Sequence, residues 1–486
     1  MKYTELMKGI SYEVLQEGNA EEITSLVYDS RRVTPGACCA CEKGLTFDGL
    51  DFLEQDRQKG AAAAVADRDP GRYPEGLTVL KVENLQAAMP RMAANFYAGC
   101  LDGISVTGVT GTNGKTTTTT LMHHIFMEAG RVCGLIGTNE NRIGNRREET
   151  LHTTPMPFDL FALFRQMKSE DVQEIVMEVS SHALHQHRVD TVPYDLAVFT
   201  NLTQDHLDYH KTMEEYRKAK TILFRQSRLG LLNGEDPASE KIREEASCPC
   251  LTYGLRENNT FSARQVEMSA TGLSYDWYHE DKKLGRIQYP VPGKFNVYNT
   301  LAAASACYLR GLSPEIIIRA LDLESPIVAG RFQAFHSRDG VTAIVDYAHT
   351  PDGLQNVLET VREFARGRVV SLFGCGGDRD AAKRPIMGRI AGEYSDFCIL
   401  TSDNPRTEDP LKILDQIEEG IRQTSCPYTK IENRKQAIHT AIREARPLDV
   451  ILVAGKGHED YQIIGREKTH LDDREEVRAA LQERDC

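Results

Sequence analysis

The chain of 486 residues has no apolar run that approaches the ~20 residues of a membrane-spanning helix. Its opening, Met1-Lys2-Tyr3-Thr4-Glu5, begins no signal peptide. Both absences predict a cytoplasmic protein with no membrane span. Positive charge is also in deficit, with 58 Lys and Arg against 71 Asp and Glu and a net charge of −13. Such a chain is a poor general ligand for nucleic acid, because phosphate contacts need Lys and Arg. Where it meets phosphate it must gather positive charge locally. Low-complexity tracts and short-period repeats are missing. The 12 cysteines are scattered, and neither Cys38-Cys39-Ala40-Cys41 nor Cys248-Pro249-Cys250 has C-x₂-C spacing with a second matching pair. They read as reduced thiols that mostly pack, not as a metal site.

What is present is ample apolar material, 41% of residues, in a chain long enough for about three domains. The most informative stretch is Gly108-Val109-Thr110-Gly111-Thr112-Asn113-Gly114-Lys115-Thr116-Thr117. It follows the apolar run 104–106 and precedes a helix-like segment, 117–129. Strand, glycine loop, Lys-Thr and helix is the layout of a nucleotide-phosphate cradle. Glycines let backbone N–H groups point at phosphate oxygens, the helix N-terminus adds positive dipole, and Lys115 adds a full charge. Thr116 offers a hydroxyl to Mg²⁺. The strict pattern asks for glycine where Val109 stands, so the generic motif is matched imperfectly.

Residues 1–100 read as a small α/β unit, with strands expected near 27, at 61–66 and at 77–82. Residues 101–328 hold the phosphate loop and two further apolar strands that end in polar residues. Ile175-Val176-Met177 runs into Glu178-Val179-Ser180-Ser181-His182, and Leu196-Ala197-Val198-Phe199 into Thr200-Asn201-Leu202-Thr203-Gln204-Asp205-His206. From residue 329 onward the same grammar recurs. Four apolar runs end in Asp346-Tyr347-Ala348-His349, Gly374-Cys375-Gly376-Gly377-Asp378-Arg379, Asp403-Asn404-Pro405-Arg406 and Gly455-Lys456-Gly457-His458-Glu459, with helices expected between them at 354–365 and 411–423. In open parallel sheets ligands sit at the carboxyl ends of strands. The expected fold is therefore α/β with three domains: a small N-terminal one, a central ATPase-like parallel sheet, and a Rossmann-like C-terminal one. Gly330-Arg331 would be the hinge before the last. On residues alone the middle region says ATP plus Mg²⁺. Thr116, Glu178 and His206 are hard or borderline ligands near the loop, although a solvated carboxylate or a surface imidazole explains either of the last two taken singly.

Thr110-Gly111-Thr112-Asn113-Gly114-Lys115-Thr116-Thr117 is similar to the signature loop of the Mur ligases, ATP-dependent amide-forming enzymes of peptidoglycan synthesis. Glu178-Val179-Ser180-Ser181-His182, Asp205-His206-Leu207-Asp208-Tyr209-His210, Asp346-Tyr347-Ala348-His349-Thr350-Pro351 and Asp403-Asn404-Pro405-Arg406 resemble the family's other markers in the same order. That family's loop is spaced as here, Val109 included. Within it, the nearest likeness is to the members that add meso-diaminopimelate to UDP-N-acetylmuramoyl-L-alanyl-D-glutamate. A lysine-adding relative, a folate polyglutamate ligase and a phosphate-loop NTPase switch are the alternatives.

The resemblance implies a division at 1–100, 101–328 and 329–486 for the uridine nucleotide, ATP and the amino acid. It implies ATP contacts at Gly111, Thr112, Asn113, Gly114, Lys115, Thr116, Thr117, Asn296, Arg331 and Asp346. Lys115, Glu178, His206 and Lys220 would be catalytic, and Thr116, Glu178, His206 and Lys220 would hold metal. Lys220 would do so as a CO₂-modified carbamate; without the family match it reads as a plain lysine on an amphipathic helix. The uridine-linked substrate would touch Ser30, Thr153, Thr154, Ser180, Gln186 and Arg188, with uracil contacts near Leu45-Thr46-Phe47. His152 stands where the family often has Asn. The amino acid would meet Arg379, Asp403, Asn404, Pro405, Arg406, Gly455 and Glu459. The plainer reading of Arg406 is an ion pair with Asp403 or Glu408.

Overall fold

Short runs of small apolar residues open the N-terminal sheet. Its strands are β1 (Tyr12–Gln16), β2 (Ser25–Val27), β3 (Ala37–Ala40), β4 (Ala63–Ala66) and β5 (Thr78–Val82), in the order β1-β5-β4-β3-β2. β2 to β5 pair in parallel, and β1 returns antiparallel to β5. β3 and β4 are buried along their whole length, as parallel strands covered on both faces must be. Cys39 and Cys41 are part of that core beside Val27, Leu53 and Val79, which matches the packing role expected of them. The computed structural model describes every residue except Glu21, Leu45, Thr46, Glu149, Leu151, Ala270, Leu323 and Glu324.

Contacts divide the chain into two compact units. The first comprises Met1–Gly108, Arg131–Ala197 and Ile222–Arg228, and the second Val109–Gly130, Val198–Thr221 and Leu229–Cys486. The division falls inside β6 (Ser105–Thr110). The first unit continues with β7 (Cys133–Ile136), β8 (Asn141–Ile143), β9 (Arg146–Glu148) and β10 (Glu174–Glu178). β7 and β10 are parallel, whereas β8 and β9 fold back antiparallel. β11 (Leu196–Phe199) again straddles the division.

In the second unit β12 (Gly230–Asn233), β13 (Cys250–Gly254), β14 (Phe261–Ser269), β15 (Gly272–His279) and β16 (Lys282–Tyr289) follow one another. The first three pair in parallel and the last two add antiparallel. The sequence reading did not find this five-strand run. The C-terminal sheet consists of β17 (Gln333–His336), β18 (Thr342–Asp346), β19 (Val369–Phe373), β20 (Phe397–Leu400), β21 (Tyr428–Lys430) and β22 (Val450–Ala454), ordered β17-β18-β22-β19-β20-β21. The four expected strands are its parallel centre. The sheet has six strands, not four: β17 runs antiparallel at one edge and β21 closes the other. Both edges are short and half-exposed, so their hydrophobic signal is weak. A hairpin of β23 (Tyr461–Ile464) and β24 (Glu467–His470) follows.

Helices start earlier than their apolar spacing suggests, because polar caps set the first turn. Thr350 caps Pro351–Phe364 by accepting from Gly353 N, and Asp409 caps Pro410–Ile421 by accepting from Leu411 N. Each has proline at its first position, where no N–H is missed. Helices Arg434–Arg443 and Asp473–Asp485 are joined by a wholly buried ion pair, with Arg434 Nε and Nη2 at 2.8 and 2.7 Å from the Asp473 carboxylate. Arg434 Nη2 also donates to Ala454 O at the end of β22 (2.9 Å). Asp473→Ala leaves that guanidinium buried and unpaired. The expected loss is about 3–5 kcal/mol, read by urea unfolding.

Candidate active site

The phosphate loop joins β6 to helix Lys115–Glu128. Val109 is a buried residue of β6, so the turn begins only at Gly111. Gly111 has φ +152°, and a Cβ there would stand 1.8 Å from Thr200 Oγ1. Thr200 Oγ1 donates to Asn113 O (2.6 Å), and Asn201 Oδ1 accepts from Asn113 N (2.9 Å), so the end of β11 shapes the loop. Gly114 sits before the helix in the left-handed region with no side chain capping the first turn, which leaves helix N–H groups for an anion. Gly111→Ala is expected to displace the loop and weaken ATP binding by about tenfold or more, checked by calorimetric titration.

Two lysine nitrogens meet one carbonyl. Lys115 Nζ donates to Gly111 O and Thr112 O, both at 2.8 Å, and Lys220 Nζ donates to Gly111 O at 2.8 Å. Lys220 is 1% exposed and lies 4.3 Å from the centre of the Tyr216 ring. Burial, with Lys115 adding repulsion, holds its amine well below the usual lysine range. His206 has a left-handed backbone, φ +54°, uncommon away from glycine. Its Nε2 lies 3.5 Å from Asp205 Oδ2. Burial works against ionisation of Asp205, but His206, His349 and Lys383 outweigh it and bring its pKa to about 2.

A cavity of about 380 Å³ opens beside the loop, lined by Asn113, Gly114, Thr117, Asn299, Tyr298 and Asp352 among others. Arg331 and Asp346 border it too. Arg331 Nη2 donates to Thr116 Oγ1 (3.0 Å), and its guanidinium lies over the Tyr347 ring at 4.5 Å. Arg331 Nε is buried with no partner among the described residues, so it has an N–H to offer an incoming phosphate. Asp346 accepts from Phe332 N (2.7 Å), and burial raises its pKa against the pull of Arg331. Asn296 is buried and donates to Pro292 O (2.9 Å); its neighbour one turn on, Asn299, is the one that lines the cavity. The sequence reading missed Asn299, Glu235, Tyr298 and Asp352, which come from scattered segments with no motif of their own.

In the first unit Glu178 is buried, its two oxygens accepting from Thr138 N (2.8 Å) and Thr138 Oγ1 (3.0 Å). Thr138 Oγ1 in turn accepts from Thr153 Oγ1 (3.0 Å), and Thr154 Oγ1 donates to Glu178 O (2.9 Å). Ser180 N donates to Thr154 Oγ1, Arg188 Nη1 to Thr154 O, and Arg188 Nη2 to Gln186 Oε1 (2.6 Å). Thr153, Thr154, Ser180, Gln186 and Arg188 thus form one cluster around Glu178. Ser30 lies apart from that hydrogen-bond cluster, in a cavity of about 510 Å³ with Tyr28, Arg31, Cys39 and Glu42. Of the expected uracil contacts, Leu45 and Thr46 lie outside the described residues, and Phe47 is exposed.

At the ends of β19, β20 and β22 the second unit gathers the remaining candidates. Arg406 Nη1 donates to Gly377 O (2.9 Å) and Asn404 O (3.4 Å), and no carboxylate pairs with it among the described residues. Glu408 is taken instead by Arg384 (2.9 Å), so the ion-pair reading of Arg406 is excluded. Gly376 lies between Arg406 Nη1 and Arg379 Cγ, which a Cβ there would meet at 2.9 and 3.7 Å. Arg379 itself is exposed and donates to Asp378 O. Asp403 stands against Gly455, whose φ is +116°. Asn404 Nδ2 donates to Glu459 Oε2 (2.8 Å). The carbonyl of Pro405 would be 1.9 Å from a Cβ on Gly377. The hairpin runs along this segment: Gln462 Nε2 donates to Asp403 O (2.7 Å), Arg406 N to Ile463 O (3.0 Å) and Gly465 N to Arg406 O (2.7 Å).

A glycine phosphate cradle and charged residues at parallel strand ends define an α/β nucleotide-binding enzyme. Three family models match: the Mur ligase family catalytic domain at 22–97, the Mur ligase middle domain at 109–307 and the Mur ligase glutamate ligase domain at 330–457. A UDP-N-acetylmuramoyl-L-alanyl-D-glutamate–2,6-diaminopimelate ligase from Caldanaerobacter subterraneus subsp. tengcongensis is 44% identical over 484 residues, covering 99% of both chains. A ligase of the same name from Geobacillus thermodenitrificans is 44% identical with all of both chains covered. Among solved structures, one of a ligase bearing that name is 28% identical with a TM-score of 0.69, covering 100% of this chain and 99% of that one. The MurF ligase from Thermotoga maritima in complex with ADP shares the fold at 19% identity, with a TM-score of 0.67 over 95% of this chain and 98% of that one. The chain belongs to the Mur ligase family.

Proposed function

We propose that this enzyme joins meso-diaminopimelate to UDP-N-acetylmuramoyl-L-alanyl-D-glutamate at the expense of ATP, in the synthesis of peptidoglycan precursors. A carboxylate is a poor acylating agent. Its oxygen attacks the γ-phosphorus of ATP, ADP leaves, and an acyl phosphate results. The amine then attacks the acyl carbon, phosphate departs and the amine proton is lost. The observation that carries the choice of amino acid is Arg406, an arginine at a strand end without a carboxylate partner, beside relatives that bear the name of this activity.

In this reading the loop 111–117 with Lys115 cradles the triphosphate, and Asn296, Arg331 and Asp346 attend ATP from the hinge side. In the second unit Thr116, His206 and a carbamate on Lys220 would be donors suited to Mg²⁺, and in the first unit Glu178 is a separate candidate ligand. When bound there, Mg²⁺ would supply charge screening for phosphoryl transfer. The cluster Thr153, Thr154, Ser180, Gln186 and Arg188, with Ser30, serves the uridine-linked substrate. Arg379, Asp403, Asn404, Pro405, Arg406, Gly455 and Glu459 serve the amino acid. Domains at 1–100, 101–328 and 329–486 accord with the three matched family regions. A cytoplasmic site suits a reaction that consumes ATP. No described helix is long and apolar enough to cross a membrane, and no disulfide joins the cysteines among the described residues.

Purified enzyme is assayed for ADP release with ATP, the UDP-muramoyl dipeptide and a panel of amino acids. ADP release requires both the nucleotide sugar and an amine, with diaminopimelate preferred. Equal ADP release with neither present would favour an NTPase switch and sink the ligase reading.

A further inference from the structure

The loop after β22 carries a lysine that none of the roles above uses. Lys456 is wholly buried, a rare position for lysine unless it is paired. Its Nζ donates to Glu459 Oε2 (3.0 Å) and to Asn404 Oδ1 (3.3 Å), and lies 5.3 Å from the centre of the Tyr461 ring. Asn404 Nδ2 donates to the same Glu459 Oε2 (2.8 Å), and Ile463 N to Asn404 Oδ1 (3.0 Å). Each polar atom of the Asn404 amide is therefore committed, and its orientation is fixed by donors and acceptors on both sides. Glu459 Oε2 is held twice, whereas Oε1 has no partner among the described residues.

We propose that Lys456 is a positioning residue for the acceptor amino acid: by gripping Glu459 Oε2 and Asn404 Oδ1 it aims Glu459 Oε1 at an ammonium group of the substrate. The proposal rests on the reading of this strand end as the amino-acid site. A buried cation beside a carboxylate has two effects here. It locks the rotamer, and it keeps the carboxylate available to a second cation. Burial and the nearby Asp403 push the Glu459 carboxyl upward, and Lys456 opposes them. The other groups that face this carboxylate are Asn404, Arg434, Tyr347 and Tyr461. Without Lys456, the carboxyl turns more freely and holds its proton to higher pH.

Full-length Lys456→Met and Lys456→Gln are compared with wild type in steady-state assays, with thermal melting to check folding; Gln keeps a donor and disturbs the core least. KM for diaminopimelate is expected to rise about tenfold or more. KM for ATP and for the UDP-muramoyl dipeptide stays within about twofold, and the acid limb of kcat/KM for diaminopimelate moves to higher pH. In a Glu459→Gln background either substitution should add little further, because the residue it positions has already lost its charge. An unmoved KM for diaminopimelate, a parallel rise in all three KM values, or additive effects with Glu459→Gln overturns the proposal. Wild-type turnover in the same assay separates the two readings. No turnover with diaminopimelate overturns both, whereas turnover with unmoved KM in the variants overturns only the role of Lys456.

Discussion

Lys220→Ala is expected to lower turnover by roughly 10³-fold or more, about 4 kcal/mol of transition-state stabilisation, and short-chain carboxylates should restore part of it. Lys220 is buried against Gly111 O, sharing that acceptor with Lys115. Burial and the neighbouring charge favour its neutral amine. The neutral amine is the form that attacks CO₂: the N–C bond forms as one C–O π bond opens onto oxygen, a proton leaves nitrogen, and a neutral group becomes an anion. That anion would supply a metal ligand that lysine itself cannot. The alanine variant leaves a space that a small carboxylate fills, so rescue reports on the missing charge and not on folding. A second readout is the carbonyl signal of a carbamate after labelling with ¹³C-bicarbonate, expected in wild type and missing in the variant. Wild-type rates in Lys220→Ala would refute the carbamate role.

Arg406→Ala should remove most activity with diaminopimelate and most of the discrimination against lysine. The two amino acids differ by a carboxylate at the far end of the side chain. A guanidinium pairs with a carboxylate through two parallel hydrogen bonds. Arg406 is half-buried and has no carboxylate partner among the described residues, only the carbonyls of Gly377 and Asn404. Lysine would leave that fork desolvated without its match, and a site built for a polar group rejects the analogue lacking it by roughly 10⁴ or more. The measurement is kcat/KM for both amino acids in wild type and variant. Preference of the wild type for lysine, or full discrimination in Arg406→Ala, would show the acceptor assignment to be wrong.

The parts of the fold written in short-range pattern were legible in the sequence. Gly111 to Thr117 announced a strand-loop-helix cradle because each residue type there has a backbone job. The four parallel strands ending at Asp346, Phe373, Leu400 and Ala454 showed as apolar runs with polar ends. Strands β14 to β16 escaped because they carry many polar and exposed residues, such as Arg264, Glu267 and Lys282, and little continuous apolar signal. β17 and β21 escaped for the same reason at the edges of their sheet. The cavity walls were illegible for a different cause. Asn113, Glu235, Asn299 and Asp352 are far apart in the chain, and folding alone brings them to one surface. Lys456 stood in a quoted motif, yet nothing in the one-dimensional pattern says that its ammonium is buried.

The hairpin of β23 and β24 acts as a splint on Arg406. Arg406 has a left-handed backbone, φ +51°, and two of the bonds that hold it there reach Ile463 and Gly465, well downstream in sequence. β24 is exposed along its length. Its side chains are therefore free to vary, while the backbone amides of the hairpin are not. When the hairpin opens, the amides of Arg406 and Gly465 lose protection together, while the loop 111–117, built from other strands, stays formed.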